Sequence, residues 1–319
     1  MKILVTGASG FVGGAMIARL NQIKKYEVRT VGRSEKSPVL NNSEHVVVRD
    51  LTSDLSLVEA VDSVDTIIHA AAQTHLLQES VTVPLTEFRL VNVAGTMNLA
   101  HHAVDAGVRR FIYISSIKVN GENTELGKPY TEDDAPAPID PYGISKYEAE
   151  ISLRQIAEET GLEVVIIRPV LVYGPGVKAN FLSLMNWLNK GVPLPFGAIP
   201  NKRSLVALAN LVDLIVTCID HPASVNQVFL VSDGEDLSST ELFRRLSKAQ
   251  GKPARLFPCP AKLLTFIAFL LGKKDVAQRL CGSLQVDISK ARDLLGWEPP
   301  VSVGEGLRKV AEDFMKNKL

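Results

Sequence analysis

Tyr142 and Lys146 stand one helical turn apart in Pro141-Tyr142-Gly143-Ile144-Ser145-Lys146, so a helix here presents phenol and ammonium on one face. A free tyrosine titrates at about 10 and carries protons poorly at neutrality, but an adjacent ammonium favours the phenolate and lowers that value. The chemistry to expect is general acid/base work by the phenol. Tyr-x-x-x-Lys is also common on solvated helices, so the weight of this pair depends on what accompanies it.

The first companion is a turn built for an anion. An apolar strand, Lys2-Ile3-Leu4-Val5-Thr6, runs into Gly7-Ala8-Ser9-Gly10-Phe11-Val12-Gly13 and then into an amphipathic stretch ending near Ile23. Gly7 permits the tight turn, Gly10 lets backbone approach a pyrophosphate, and Gly13 lets the helix lie close to the strand with its N-terminus facing the phosphates. A second strand from Glu27 to Val31 completes a βαβ unit, the context that makes such glycines a dinucleotide site and not a structural turn. The second companion is Arg110-Phe111-Ile112-Tyr113-Ile114-Ser115-Ser116, a buried-type strand ending in two serines. Strand C-termini line the ligand crevice of a parallel sheet, where a hydroxyl can bond a carbonyl or alkoxide oxygen, or simply cap the next segment.

Glycine turn, strand-end serine and Tyr-x-x-x-Lys in this order resemble the short-chain dehydrogenase/reductase superfamily, and over essentially the whole chain its extended, nucleotide-sugar branch. The resemblance implies a Rossmann-type α/β fold, a doubly wound parallel sheet with a smaller, mostly helical substrate lobe. It makes Ser116, five residues before Gly121, the catalytic serine beside Tyr142 and Lys146. Cofactor contacts carried over are Gly7, Ser9, Gly10, Phe11, Val12 and Gly13 in the turn, Asp50 and Leu51 at adenine, and Ala70, Ala71 and Ala72 after strand four. Asn92, Ser115, Pro169, Tyr142 and Lys146 complete that set. Val172-Tyr173-Gly174-Pro175 and Leu295-Gly296-Trp297-Glu298-Pro299 match further signatures of the branch. Substrate contacts would come from Gln73, Lys118, Asn180, Arg203 and Arg279, with Lys118 and Arg279 also reading as ordinary surface residues.

Strand and helix alternate through the first half, with strands near 2–6, 27–31, 45–49, 65–69, 110–115 and 163–168, helices from Leu85 to Ala106 and from Tyr142 to Gly161, and a late strand from Asn226 to Val231. Prolines 169, 175, 193, 195 and 200 then break the rhythm. The expected division is a dinucleotide-binding domain over 1–168, with 203–232 returning to it, and a substrate lobe from 169–202 and 233–319. The 319 residues suffice for this arrangement, and equal numbers of basic and acidic residues, 35 each, give no sign of nucleic-acid binding. Cys218, Cys259 and Cys281 lack metal-ligand spacing, so no metal is expected, and unpaired thiols suit a reducing cytoplasm. Leu263 to Leu271 is strongly apolar but too short to span a bilayer; a buried or interfacial helix is expected, with membrane-surface contact the lesser reading given Lys262, Lys273 and Lys274.

Gly32-Arg33-Ser34 follows the second strand, where a carboxylate would bond the ribose hydroxyls of NAD; its absence, with Arg33 present, leans towards NADP(H), with NAD(H) the alternative. The branch's 4,6-dehydratases carry an Asp-Glu pair where this chain has Ile117 and Lys118, which leaves hydride transfer at a sugar carbon. Leu171 replaces an asparagine used by the branch's epimerases. The resemblance therefore implies first a 4-ketoreductase of a UDP-4-keto-6-deoxy-N-acetylhexosamine in surface-polysaccharide (O-antigen) biosynthesis. A UDP-sugar 4-epimerase with tightly bound NAD comes next, and a redox-sensing NADP-binding module is the non-enzyme alternative. A homodimer through helices near 90–106 and 142–160 is implied by analogy with relatives.

Overall fold

The computed structural model describes residues 1–35, 43–53, 56–74, 84–272 and 274–317, apart from the side chains at 179–180 and 274–275. The first half runs β1 (Lys2–Thr6), α1 (Phe11–Leu20), β2 (Glu27–Gly32), β3 (Glu44–Val47), α2 (Ser56–Val61), β4 (Thr66–His69), α3 (Pro84–Arg89), α4 (Gly95–Asp105), β5 (Arg110–Ile114), α5 (Pro141–Thr160) and β6 (Glu163–Pro169). The second half follows with β7 (Leu171–Tyr173), α6 (Ala179–Asn189), β8 (Leu205–Ala207), α7 (Leu208–Asp220), β9 (Val228–Val231), α8 (Ser239–Ala249), α9 (Ala261–Leu270), α10 (Lys274–Cys281), α11 (Ser289–Leu295) and α12 (Val303–Lys316).

Seven of these strands form one parallel sheet in the order β3-β2-β1-β4-β5-β6-β9. Both faces are covered, so β4 and β5 are buried throughout, including the polar Thr66, His69 and Arg110 at their ends. Successive residues serve opposite faces: Ile3 and Val5 join a cluster under α1 and α7, while Leu4 joins another under α2, α4 and α5. Strand order reverses between β1 and β4, and that switch point, at the strand C-termini, is where ligands of such sheets bind.

A third apolar cluster gathers Tyr173, Met185, Leu205, Phe243 and Val310 around the separate β7–β8 ribbon. Residues 284–297 do not follow it: Leu284, Val286, Ile288 and Trp297 pack into the first cluster of the main sheet. The run expected as one helix from Leu85 to Ala106 is α3 and α4 joined by a single π-helical turn, Leu90–Ala94. α5 is sharply bounded: the Asp140 carboxylate accepts the Gly143 amide at 2.7 Å, Pro141 fills the first turn, and Gly161 at φ 78° closes the end. α9 departs from a buried helix, since none of its residues is buried. Among the described residues no helix is long and apolar enough to cross a membrane.

Candidate active site

The dinucleotide turn sits where β1 meets α1. Gly7 lies at φ 72°, and a Cβ on Gly13 would fall 2.1 Å from the Gly7 carbonyl oxygen, so helix and turn touch only because both residues lack side chains. No side chain caps α1, which leaves its leading amides facing the space above Gly10. This cradle fits a pyrophosphate. Ser9 and Gly10 are exposed at its lip, Phe11 and Val12 are half-buried, and Ala70, Ala71 and Ala72 leave β4 as half-buried small residues beside it. Pro169 ends β6, buried against Val231. Arg33 is exposed at the end of β2, and the exposed Asp50 carboxylate accepts from the amide and hydroxyl of Thr52, both at 2.8 Å, ahead of half-buried Leu51.

Ser116, Tyr142 and Lys146 come together at the C-terminal end of β5. Ser116 is half-buried, and its Oγ accepts the Lys118 amide at 3.3 Å as it caps a short 3-10 turn. Tyr142 packs edge-on against Phe88 on α3, 6.0 Å between centroids. Lys146 is buried, donates to the Ile114 carbonyl at 2.7 Å and lies 4.2 Å above the Tyr113 ring. This corrects the expectation of a phenol acidified by its lysine. Burial, assisted by the Asp140 charge, pushes Tyr142 well above its ordinary value, while burial lowers Lys146 to about 7 against the opposing pull of Glu150. The ammonium is aimed down at the strand carbonyl and not at the phenol.

Ser115 is buried, and its hydroxyl turns inward and donates to Glu150 at 2.5 Å. Asn92, expected at the cofactor, has its amide fully engaged by the protein: Oδ1 accepts the Gln73 amide at 2.8 Å, and Nδ2 donates to the Gln73 carbonyl and to Ser145 Oγ, both at 3.0 Å. It lies in the π-helical turn and clamps the segment after β4 to α5.

Glu150 escaped the sequence reading, and His69, read only as part of the segment beside the cofactor, has a bracing role of its own. Glu150 is fully buried and accepts from Arg168 Nε at 2.9 Å and Nη2 at 2.6 Å, with Arg154 adding a bond at 2.9 Å. The available signal was spacing, since Tyr142, Lys146 and Glu150 follow one another at intervals of four on one helix face. His69 joins Thr6 Oγ1 through Nδ1 at 2.7 Å and Thr96 Oγ1 through Nε2 at 2.9 Å. The single Thr96 hydroxyl proton goes to the Asn92 carbonyl at 2.7 Å, which assigns the histidine proton to Nε2 and makes Nδ1 an acceptor. Burial, with the Lys146 charge second, lowers His69 to about 3 and keeps it neutral in this role. The chain of bonds ties the end of β1 to the helix carrying Asn92.

The substrate candidates divide. Lys118 pairs with Asp140 and, at 3.2 Å, with Glu122, so it braces the start of α5 with its charge already answered. Arg203 donates to the Gly282 carbonyl at 3.2 Å, and burial followed by the Arg279 charge lowers its affinity for a proton. Gln73 is half-buried with its backbone clamped by Asn92. The side chain of Asn180 lies outside the described residues.

A doubly wound sheet with a glycine-lined dinucleotide turn at its switch point, and a serine, tyrosine and lysine at the end of β5, is the arrangement of the short-chain dehydrogenase/reductase class. Residues 3–232 match the NAD dependent epimerase/dehydratase family, and the chain belongs to it. It is 48% identical to a UDP-glucose 4-epimerase of Vibrio cholerae over 99% of this chain and 96% of that one. It is 26% identical to an N-acetyl-alpha-D-glucosaminyl-diphospho-ditrans,octacis-undecaprenol 4-epimerase of Escherichia coli O157:H7 over 99% and 96%. The crystal structure of a UDP-glucose 4-epimerase of Thermotoga maritima with UDP-glucose superposes with a TM-score of 0.80 at 27% identity, covering all of both chains.

Proposed function

We propose that the protein is a 4-epimerase of UDP-hexoses that retains NAD through the catalytic cycle. The observation that carries this is the 48% identity to the Vibrio UDP-glucose 4-epimerase along nearly the whole of both chains, which favours epimerase over the 4-ketoreductase expected from sequence. Bound nicotinamide supplies the hydride acceptor and donor. Tyr142 takes the proton from the sugar C4 hydroxyl and returns it, Ser116 hydrogen-bonds the same oxygen, and Lys146 holds the ribose side of the site. Arg203 with Arg279 meets the diphosphate that the named substrates of these relatives share. Gly7, Gly10 and the first turn of α1 hold the cofactor pyrophosphate.

The test incubates the purified protein with UDP-glucose and follows UDP-galactose by NMR with no cofactor added. Interconversion with no net change at the nicotinamide absorbance supports the reading; failure with both UDP-glucose and UDP-N-acetylglucosamine removes it. Leu171, 51% exposed where epimerases of the branch use asparagine, and the exposed Arg33 keep the ketoreductase as second reading. That reading requires stoichiometric NADPH or NADH loss with UDP-4-keto-6-deoxy-N-acetylglucosamine. The sensor alternative is disfavoured by retention of all three catalytic residues. A cytoplasmic homodimer joined through α4 and α5 belongs to the same proposal, and Ile151, 47% exposed on α5, supplies an apolar contact for it.

A further inference from the structure

The substrate lobe carries a helical hairpin, α9 and α10, whose first helix serves no core. Leu263, Phe266, Ile267, Phe269, Leu270 and Leu271 are between 44% and 69% exposed, and no residue of α9 is buried. Positions 263, 266, 267 and 270 form one stripe of the helix, while Phe269 and Leu271 widen it. Contiguous exposed apolar surface of this kind marks an interaction site in a water-soluble chain. The one hydroxyl in the run, Thr265 Oγ1, is turned back onto the Ala261 and Lys262 carbonyls at 2.9 and 3.0 Å. From Leu263 to Leu271, therefore, no side chain presents a polar group that needs water, as burial in hydrocarbon requires.

Charge selects the occupant. The chain as a whole is neutral, yet between Glu241 and Asp275 there are eight lysines and arginines and no carboxylate, and between Glu163 and Asp213 five and none. These stretches meet at the base of the hairpin, where the Phe257 amide bonds the Leu194 carbonyl at 3.0 Å and Arg255 reaches the Gly191 carbonyl at 3.5 Å. Trp187, Val192 and Phe257 are exposed around that base, and so are Lys190 and Arg255. Arg168 and Arg245 are answered by Glu150 and by Glu235 and Glu241, but among the described residues Lys190 and Arg255 form no ion pair, and apolar side chains beside such charges match the headgroup and upper acyl region of an anionic bilayer. At 10 residues α9 is about 15 Å long, enough to lie in the interface and too short to span it.

We propose that α9 inserts into the surface of an anionic lipid bilayer, with the basic residues at the base of the hairpin against its phosphates. α10, about 12 Å long at 8 residues, then carries Arg279 near its far end, so the proposed site works beside the headgroups. This inference does not depend on which sugar is turned over.

Flotation of the full-length protein with phosphatidylcholine vesicles, with and without 20 mol% phosphatidylglycerol, tests it; Phe266→Glu/Leu270→Glu is the variant, and its thermal midpoint the control for folding. The expected result is recovery with anionic vesicles at least tenfold above neutral ones, reduced by salt, and abolished in a variant of unchanged midpoint. Absence of flotation overturns the proposal, as does equal recovery on neutral vesicles. A concentration-dependent dimer that the variant dissolves, without flotation, assigns the face to a second copy and also overturns it.

Discussion

Glu150→Gln separates the two duties placed on one buried carboxylate. Its oxygens hold Ser115 at 2.5 Å, Arg168 at 2.6 and 2.9 Å and Arg154 at 2.9 Å, and its charge also opposes the downward pull of burial on Lys146. The substitution keeps the volume, removes the charge and turns an amide donor towards a buried guanidinium that is already all donor. Breaking a buried ion pair from one side costs about 3–5 kcal/mol, a large share of the roughly 5–15 kcal/mol that holds a folded chain together. With a urea m-value of about 3 kcal/mol/M, the unfolding midpoint should fall by about 1–1.7 M. Replacing both partners, Glu150→Met with Arg168→Met, should recover most of that loss, because the penalty lies in an unpaired charge and not in the absence of a pair. The second readout is catalytic. Without the carboxylate, Lys146 titrates below about 7, so the alkaline fall of kcat moves to lower pH. A loss under about 1 kcal/mol, together with an unmoved pH profile, would refute the assignment of both duties.

Tyr142→Phe and Ser116→Ala should each lower kcat by about 10²–10⁴ with the fold intact by circular dichroism; wild-type turnover in Tyr142→Phe would remove the phenol from the reaction. Gly13→Ala sets a methyl 2.1 Å from the Gly7 carbonyl, so the variant should lose bound dinucleotide on purification, which absorbance of the released cofactor measures. Lys146 is held near about 7 in the fold against 10.5 in the free chain, so the unfolded state binds the extra proton between those values. Stability should therefore rise by an order of a few kcal/mol from pH 7 to 10.5 relative to Lys146→Met, and parallel urea midpoints for the two proteins across that range would contradict it. Arg203→Met should raise KM for the nucleotide sugar by tenfold or more while leaving kcat within a few fold; the reverse split would place Arg203 at the reacting carbon.

The parts of this site that could be read in the sequence are those fixed by local periodicity. Strand ends fell within two residues of expectation because parallel strands covered on both faces are continuous apolar runs with glycine or polar punctuation. Alternation along a strand also separates Ser115 from Ser116: neighbours on extended backbone face opposite ways, so one hydroxyl enters the core at Glu150 and the other caps the turn beside Tyr142. The helical interval that brought Tyr142 and Lys146 to one face continues to Glu150, and there local reasoning ended, because a glutamate on a helix is ordinarily solvated. What buries it is Arg168, on a strand 18 residues further along the chain, and what turns Lys146 away from the phenol is the Ile114 carbonyl, 32 residues earlier. The direction of a pKa shift depends on partners of that kind. Spacing placed the amine beside the phenol, but the sheet beneath determined where its charge is aimed. In the proposed reaction, proton transfer at the sugar C4 oxygen thus has to be supported by Ser116 and by whatever binds above Ser116, Tyr142 and Lys146, since in the folded chain alone Tyr142 remains firmly protonated.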